Sequence, residues 1–270
     1  MADLAAAGNN LKFFDELAGR GSVIHRIHPV TKLLTTLAYI VCVVSFGKYE
    51  LLPLLPLILY PVVLIILADL PPGELFKRLL LAAPFALGVG IFNPVFDRTP
   101  MLDWGGVSLT GGWLSFASIM FRFALTVLAA LVLIATSGIN GVGLALLKLK
   151  LPRIFVTQLL LLYRYLNILI QEAIRTVQAY TLRSPRDKGI RFQAWGSLAG
   201  QLLLRTMDRA GRIYQAMCCR GFNGEIRLYH NQPLRLVDCF YFGCWLLFFG
   251  SVRYIDIPGL LGRVLMGVGR

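Results

Sequence analysis

Charged residues are scarce in this sequence, and acidic residues are the scarcest of them. Asp, Glu, Lys and Arg together make up 15% of the 270 residues, whereas 57% are hydrophobic and the mean hydropathy is +0.68. Soluble domains usually carry about a quarter of charged residues, so this composition excludes an ordinary soluble domain and is typical of a membrane protein. The sequence also lacks a G-x-x-x-x-G-K-[ST] phosphate loop, and we therefore expect any ATP hydrolysis to occur on another chain.

Patterns for metal binding and redox chemistry are equally scarce. The five cysteines form no C-x-x-C pair, which predicts free, buried thiols. The three histidines, His25, His28 and His230, flank the apolar runs and form no H-x-x-x-H pattern. We therefore expect no metal site, no cofactor and no enzymatic activity in this chain, because a membrane-embedded metalloenzyme would need such a ligand pattern.

Positive charge is concentrated in one part of the chain. The formal net charge is +13, and fifteen Lys/Arg against four Asp/Glu between Gly138 and Arg235 give +11 of it. No recognised nucleic-acid-binding motif, and no basic patch interleaved with aromatic residues, accompanies this charge. A basic segment beside uncharged apolar runs instead indicates the cytoplasmic face of a membrane protein. We expect contact with the lipid bilayer and none with nucleic acid.

Five apolar runs predict about five transmembrane helices, because a spanning helix needs about 20 mainly apolar residues. The runs cover residues 33–46, 51–68, 79–96, 113–136 and 237–252. Three prolines, Pro53, Pro56 and Pro61, are expected to kink the second run. Arg122 is the single charged residue of the fourth run, and the sequence assigns it no role. The predicted fold is all-α.

The distribution of Lys and Arg around these runs predicts their orientation. Basic residues precede the first run and follow the second and the fourth, whereas the connections between runs on the opposite side carry only Lys48 and Arg98, each with an acidic neighbour. The N-terminus is therefore expected in the cytoplasm. The predicted organisation is a cytoplasmic segment at 1–29, four transmembrane helices at 30–137, a cytoplasmic domain of long amphipathic helices at 138–233, and a final transmembrane helix with a tail at 234–270.

A long amphipathic helix is predicted over residues 151–183. Arg153, Arg164 and Arg175 recur every 11 residues, nearly three whole turns, so they share one face. The apolar part of this segment, 154–170, is also long enough to be another transmembrane helix. We place it at the membrane surface, because a span would put Arg164 in the middle of the bilayer and the most basic segment on the outer side.

A second amphipathic helix is predicted over residues 197–220, after a turn at 182–193 that contains Pro185 and Gly189. Its polar face carries Gln201, Arg205, Asp208, Arg209 and Arg212, and its apolar face carries Leu203, Met207, Ala210, Tyr214 and Met217. A helix that lies on the membrane surface, with its arginines on lipid phosphates, would show the same pattern.

Both amphipathic helices end in an arginine, in the sequences Leu182-Arg183-Ser184 and Cys219-Arg220-Gly221. Pro185 is expected to stop the first helix, and Gly221 suits the left-handed position that closes the second. An arginine in the last turn stabilises the helix dipole by about 0.3–1 kcal/mol, which would explain either residue alone. Two such ends on one side of the membrane also fit docking, because an arginine at a helix tip can enter a pocket and form a forked hydrogen bond with a carboxylate.

Several stretches carry a resemblance to a known family. They are FDELAGRGSVIHRIHPVTKLL before the first run, LPRIFVTQLLLLYRYLNIL in the first amphipathic helix, and LRS and YQAMCCRGFNGE at the two helix ends. Over nearly the whole chain the sequence resembles the EcfT/CbiQ family, the transmembrane components of energy-coupling factor (ECF) transporters, and is most similar to the cobalt-system member CbiQ.

The resemblance implies a function for the two helix ends. Cytoplasmic coupling helices of this family end in Ala-Arg-Gly-like signatures that dock on a dimer of ATP-binding cassette ATPases. The matching residues of this chain are Arg183 with Leu182 and Ser184, and Arg220 with Cys219 and Gly221. The chain would then be a multi-pass protein of the bacterial inner membrane that couples ATP hydrolysis to cobalt uptake for cobalamin biosynthesis. Uptake would run through a separate substrate-capture membrane subunit, with or without a small accessory membrane subunit.

The sequence departs from the family pattern at several positions. Alanine precedes neither arginine, and glycine follows only Arg220, so the docking role is better supported for Arg220 than for Arg183. His28-Pro29-Val30-Thr31-Lys32 stands where the family has Asp-Pro-Arg-x-Lys, and the sequence assigns that change no role. A nickel or vitamin importer of the same type remains an alternative. A self-sufficient transporter is a further one, although it would usually show an internal repeat or several ionisable residues within the membrane.

Overall fold

The computed structural model describes residues 13–47, 50–96, 100–104, 107–184, 189–224 and 235–254, and most of them are helical. The main helices are α1 Pro29–Val44, α2 Leu59–Leu67, α3 Pro72–Gly90, α4 Gly111–Lys148, α5 Arg153–Arg183, α6 Phe192–Cys219 and α7 Leu236–Tyr254. Shorter helical pieces are residues 13–18, the 3-10 turns Ile24–Arg26 and Leu52–Ile58, and Asn93–Phe96. The helical architecture predicted from the sequence is confirmed.

A small antiparallel hairpin was not part of the all-α prediction. Strand β1, Pro100–Trp104, pairs with strand β2, Val107–Thr110, with Asp103 opposite Ser108 and an irregularity between Pro100 and Leu102. The sequence of β2 alternates apolar and polar residues, as strands do, but only over four positions. So short an alternation does not distinguish a strand from a loop between two helices.

Two compact units divide the chain. The basic unit comprises Met1–Gly19 and Ile139–Asn231, and the apolar unit comprises Arg20–Gly138 and Gln232–Arg270. Each unit is therefore built from segments that are far apart in sequence, and each has packing contacts of its own.

An aromatic cluster forms the centre of the apolar unit. The rings of Tyr39 and Tyr60 stack with their centroids 4.5 Å apart, and Trp245 meets Tyr60 edge-on at 4.8 Å. Both tyrosines are fully buried, and both hydroxyls are satisfied: Tyr39 donates to the Leu57 carbonyl at 3.1 Å, and Tyr60 lies 2.9 Å from the Thr36 hydroxyl. The cluster holds α1, the Leu52–Leu67 segment and α7 together by apolar burial with paired polar atoms.

A buried carboxylate joins the beginnings of α1 and α7. Asp238 is 4% exposed, and its two oxygens accept the backbone N–H of His28 at 2.9 Å and that of Arg235 at 2.8 Å. Arg235 immediately precedes α7, and Asp238 is the third residue of α7. The carboxylate therefore caps the N-terminus of its own helix, as in a capping box. The same carboxylate fixes the chain just before α1.

Helix α4 is interrupted at Gly138, where φ is 61° and ψ is 168°. A positive φ of this kind favours glycine, because a Cβ would clash with the backbone. The ammonium of Lys32, which is 3% exposed, donates to the carbonyl of Thr136 at 2.8 Å, two residues before the interruption. A buried charge-assisted hydrogen bond therefore stabilises the chain where regular helix geometry stops.

Three of the described helices are long and apolar enough to cross a membrane: α4, α5 and α7. Helix α1 and the Leu52–Leu67 segment are apolar but shorter, and α3 carries Glu74, Lys77 and Arg78 near its beginning. The predicted spans at 113–136 and 237–252 thus lie within helices of sufficient length. The total of five spans, and the surface position of α5, stay predictions.

The basic unit is built around α5. The hydroxyl of Tyr163 donates to Asp15 at 2.9 Å, which joins α5 to the helical residues 13–18. Gly143 lies so close to α5 that a Cβ there would be 2.9 Å from the Leu160 side chain. Helix α6 contacts α5 as well. Helix α5 is therefore the element on which the other helices of this unit pack.

The cysteines differ in part from the sequence prediction. All five are free, as predicted, but Cys218, Cys219, Cys239 and Cys244 are exposed and Cys42 is half-buried. The prediction of buried thiols is therefore wrong for four of the five. The exposed cysteines lie on α6 and α7, two helices that each leave apolar side chains exposed.

Candidate partner-binding site

The C-terminus of α6 is closed by a glycine cap immediately after Arg220. Gly221 has a φ of 83°, its N–H donates to the Cys218 carbonyl at 2.9 Å, and the N–H of Phe222 donates to the Met217 carbonyl at 3.0 Å. These two bonds form a Schellman motif, which satisfies carbonyls that the helix end would leave without donors. The left-handed cap predicted at Gly221 is confirmed. Arg220 is consequently held at the final turn of a well-terminated helix.

The C-terminus of α5 ends differently. Arg183 is its last residue, and the N–H of Ser184 donates to the Tyr180 carbonyl at 3.0 Å. Ser184, the C-cap residue, has φ −126° and ψ 64°, which is not a left-handed conformation. Pro185, predicted to stop the helix, lies outside the described residues. Leu182 is 82% exposed, so the end of the helix is accessible.

The two terminal arginines share one property. Arg183 and Arg220 are both exposed, and neither guanidinium makes a hydrogen bond or an ion pair with any residue that the structure describes. A guanidinium presents five N–H donors in a planar fork that matches a carboxylate. Both side chains are thus available to an acidic partner. The helix dipole explains why a cation lies at these positions, but it does not require the guanidinium to have a particular orientation.

The surface of α6 is unusual for a helix of 28 residues, because none of its residues is buried. Leu203, Met207 and Tyr214, which the sequence places on one apolar face, are 61%, 66% and 62% exposed. A hydrogen bond to the Cys218 thiol raises the pKa of the Tyr214 hydroxyl. Large exposed apolar surfaces mark sites of contact with a protein or a membrane.

An ion pair that the sequence does not predict joins α5 and α6. Arg205 Nη1 lies 3.1 Å from Glu172 Oε1, and the two residues are 33 positions apart. Arg205 was placed on the polar face of α6, but no local pattern gives its partner. The available signal is that Glu172 is the single acidic residue of α5, a helix with four arginines. A lone carboxylate on such a helix is a candidate for pairing with a neighbouring helix.

The histidines of the described chain have structural contacts. His25 Nδ1 lies 2.7 Å from the Ser22 hydroxyl, and His28, which is buried, accepts the N–H of Val30 at 3.1 Å. His230 lies outside the described residues. Within the described ranges, His, Cys, Asp and Glu form no group of three or more that could hold a metal ion. That the chain carries no metal or cofactor of its own stays a prediction.

Arg122, to which the sequence assigned no role, has a structural partner. Its Nη2 donates to the carbonyl of Gly47, three residues after the end of α1. Arg122 therefore joins α4 to the end of α1.

Comparison of the sequence with known proteins assigns the chain to a family. The family model for CbiQ, cobalt transport protein, matches residues 20–230, a segment that includes both terminal arginines and all of α5 and α6. The chain is also similar to the uncharacterized protein MJ1571 of Methanocaldococcus jannaschii, with 24% identity over 240 residues, which are 84% of this chain and 80% of the relative. Since the matched segment covers most of its length, the chain belongs to the CbiQ family of cobalt transport proteins.

Proposed function

We propose that this chain is the transmembrane scaffold of an ECF-type ABC importer and couples ATP hydrolysis on partner subunits to cobalt uptake. Membership of a cobalt transport family supports a membrane component of a transporter. The finer proposal is carried by one observation: α5 and α6 each end in an exposed arginine without a partner in the described chain. The chain itself hydrolyses nothing, in agreement with a sequence that has no phosphate loop.

The arginines act as docking residues. Arg183 and Arg220 each enter an acidic pocket on a different copy of an ATPase dimer and form forked hydrogen bonds with a carboxylate there. The flanking residues Leu182, Ser184 and Cys219 contact the rim of these pockets. Gly221 lets the chain turn away from α6 immediately after Arg220, because its positive φ ends the helix sharply. The guanidinium is thereby left at the tip of the helix.

In the proposed assembly, partners cover the apolar surface of α6. Three large apolar side chains of this helix, Leu203, Leu204 and Met207, are 61–69% exposed in the isolated chain. A separate substrate-capture membrane subunit and the lipid bilayer cover this surface, with or without a small accessory membrane subunit. Burial of apolar area stabilises such contacts by roughly 25 cal/mol per Å².

The scaffold lies in the bacterial inner membrane with its N-terminus in the cytoplasm and crosses the bilayer five times. The net charge of +11 between Gly138 and Arg235 supports this orientation, because Lys and Arg accumulate on the cytoplasmic side of membrane proteins. Helix α5 then lies at the cytoplasmic surface, where Arg164 stays hydrated instead of being placed in hydrocarbon.

Co-purification tests the partnership. The chain is expressed with the ATPase and membrane proteins encoded beside it, extracted in mild detergent and purified through a tag on this chain alone. We expect two copies of an ATPase and at least one further membrane protein to co-purify, and uptake of radioactive cobalt by liposomes only with the complete set. Stronger uptake of nickel than of cobalt would reassign the substrate. A stable monomer that transports cobalt alone in liposomes would refute the scaffold function.

A further inference from the structure

A groove of about 460 Å³ lies between α5 and α6 in the basic unit. Three arginines line it: Arg175 and Arg183 from α5, and Arg205 from α6. Glu172 contributes the one carboxylate among the residues that line the groove. Arg175 and Arg205, which are 30 positions apart in sequence, are thus brought to one cavity together with Arg183.

The charge of the groove is only partly compensated. Glu172 pairs with Arg205 at 3.1 Å, whereas Arg175 and Arg183 have no acidic partner within the described ranges. Three guanidinium groups against one carboxylate leave a net charge of +2 on the lining. A concave site of one sign raises the local concentration of counter-ions of the other sign.

Neutral hydrogen-bonding groups complete the wall. The groove is also lined by Tyr180 on α5 and by Ser197 and Gln201 on α6. Thr176 lines it as well, and its hydroxyl donates a hydrogen bond to the Glu172 carbonyl at 2.8 Å. Hydroxyl and amide groups of this kind donate to oxyanions but gain nothing from an apolar guest. The lining therefore favours a polar, anionic ligand with several oxygens.

We propose that this groove binds a phosphate group, carried either by a lipid headgroup or by a free phosphate compound. Planar guanidinium groups bind phosphate oxygens in pairs. A phosphate monoester carries a charge of about −1.5 to −2 at pH 7 and a phosphodiester headgroup carries a single negative charge, so the positive lining attracts either. The groove is also large enough for a phosphate group, since its volume of about 460 Å³ is many times the roughly 30 Å³ that one water molecule occupies. The proposal does not depend on the docking of Arg183, because Arg175 and Arg205 against Glu172 still leave the lining with a net charge of +1 when Arg183 is engaged elsewhere.

Phosphate binding is measured directly on the full chain. The protein is purified in detergent without phosphate, and binding of radioactive inorganic phosphate is followed by equilibrium dialysis. In a second arm the protein is placed in phosphatidylcholine nanodiscs with and without phosphatidylglycerol, and the lipid retained on re-extraction is quantified by mass spectrometry. Binding of phosphate identifies a free phosphate compound as the ligand, and selective retention of phosphatidylglycerol identifies a lipid headgroup.

Matched variants inside and outside the groove distinguish binding in the groove from attraction by the net charge of the protein. Arg175→Gln and Arg205→Gln should each weaken binding about tenfold or more, whereas Arg164→Gln, the same change on α5 outside the groove, should alter it less than about twofold. Glu172→Gln should strengthen binding, because it removes the competing carboxylate from Arg205. Asp208→Asn, the same change of charge on α6 outside the groove, should leave binding at the wild-type level.

Two results would overturn the proposal. One is wild-type protein that binds neither inorganic phosphate nor phosphatidylglycerol. The other is equal loss in Arg164→Gln and Arg175→Gln, which would show that net charge alone governs binding. The gain expected for Glu172→Gln keeps the test decisive even if an arginine variant is unstable, since a misfolded protein does not bind more tightly.

Discussion

Replacement of Arg220 by alanine is the sharpest test of the docking mechanism. The guanidinium makes no hydrogen bond or ion pair with the described chain, so its removal should cost the fold the dipole contribution of about 0.3–1 kcal/mol. The Schellman cap uses only the backbone of residues 217–222 and is retained. Melting of the purified membrane protein should therefore change little.

The effect on partner binding should be far larger. If Arg220 inserts into an acidic pocket, its loss leaves a buried carboxylate unpaired, which costs about 2–5 kcal/mol. That range corresponds to a fall in affinity of about 30-fold to several thousand-fold. Arg220→Ala and Arg220→Glu should abolish cobalt uptake, and Arg220→Lys should restore it only in part, because an ammonium cannot reproduce the planar fork.

The assay is ATPase co-purification and cobalt uptake, both normalised to the amount of this protein in the membrane. Arg209→Ala, an exposed arginine on the same helix away from its end, is the matched control and should retain both activities. Full uptake by Arg220→Ala would show that the residue is a helix cap and nothing more. Near-complete rescue by lysine would exclude the forked hydrogen bond while leaving a simple charge contact.

Three further outcomes are expected. Arg183→Ala should reduce ATPase co-purification less than Arg220→Ala, because α5 lacks the glycine cap that presents Arg220; an equal or larger loss would contradict this ranking. Single cysteines at Lys188 and Lys48, in a cysteine-free background, should differ in intact cells, with only position 48 labelled by an impermeant thiol reagent; labelling at 188 would reverse the topology. Asp238→Ala should lower the free energy of unfolding by about 2–5 kcal/mol, because it leaves two backbone N–H groups without their acceptor, measured by thermal denaturation in detergent; a wild-type melting curve would show that these bonds contribute nothing.

The long helices and their ends could be predicted because their signals are local. Charge and apolar residues at helical spacing indicated α5 and α6, and a single glycine after a helical pattern indicated the cap at Gly221. A left-handed residue is a property of the backbone at one position, so the residue type alone suffices to predict it. The placement of Arg183 and Arg220 at helix ends followed from the same local signals.

The contacts between distant segments could not be predicted in this way. Asp238 and the N–H of His28 are 210 positions apart, and Arg205 and Glu172 are 33 apart. Either carboxylate has several possible partners in the sequence, and only tertiary packing selects one. The exposure of Cys239 was missed for a related reason: an apolar run shows that a helix avoids water but not which surface covers it.

The two arginine-tipped helices differ in stiffness. Helix α5 contains neither glycine nor proline over 31 residues and is about 46 Å long at 1.5 Å per residue, so a tilt of about 5° at one end displaces the other by about 4 Å. Helix α6 contains Gly196, Gly200 and Gly211, none of which packs against a neighbour, and each glycine weakens the helix by about 1 kcal/mol relative to alanine. Helix α5 is consequently the more rigid of the two, and a displacement of Arg183 moves the whole length of that helix.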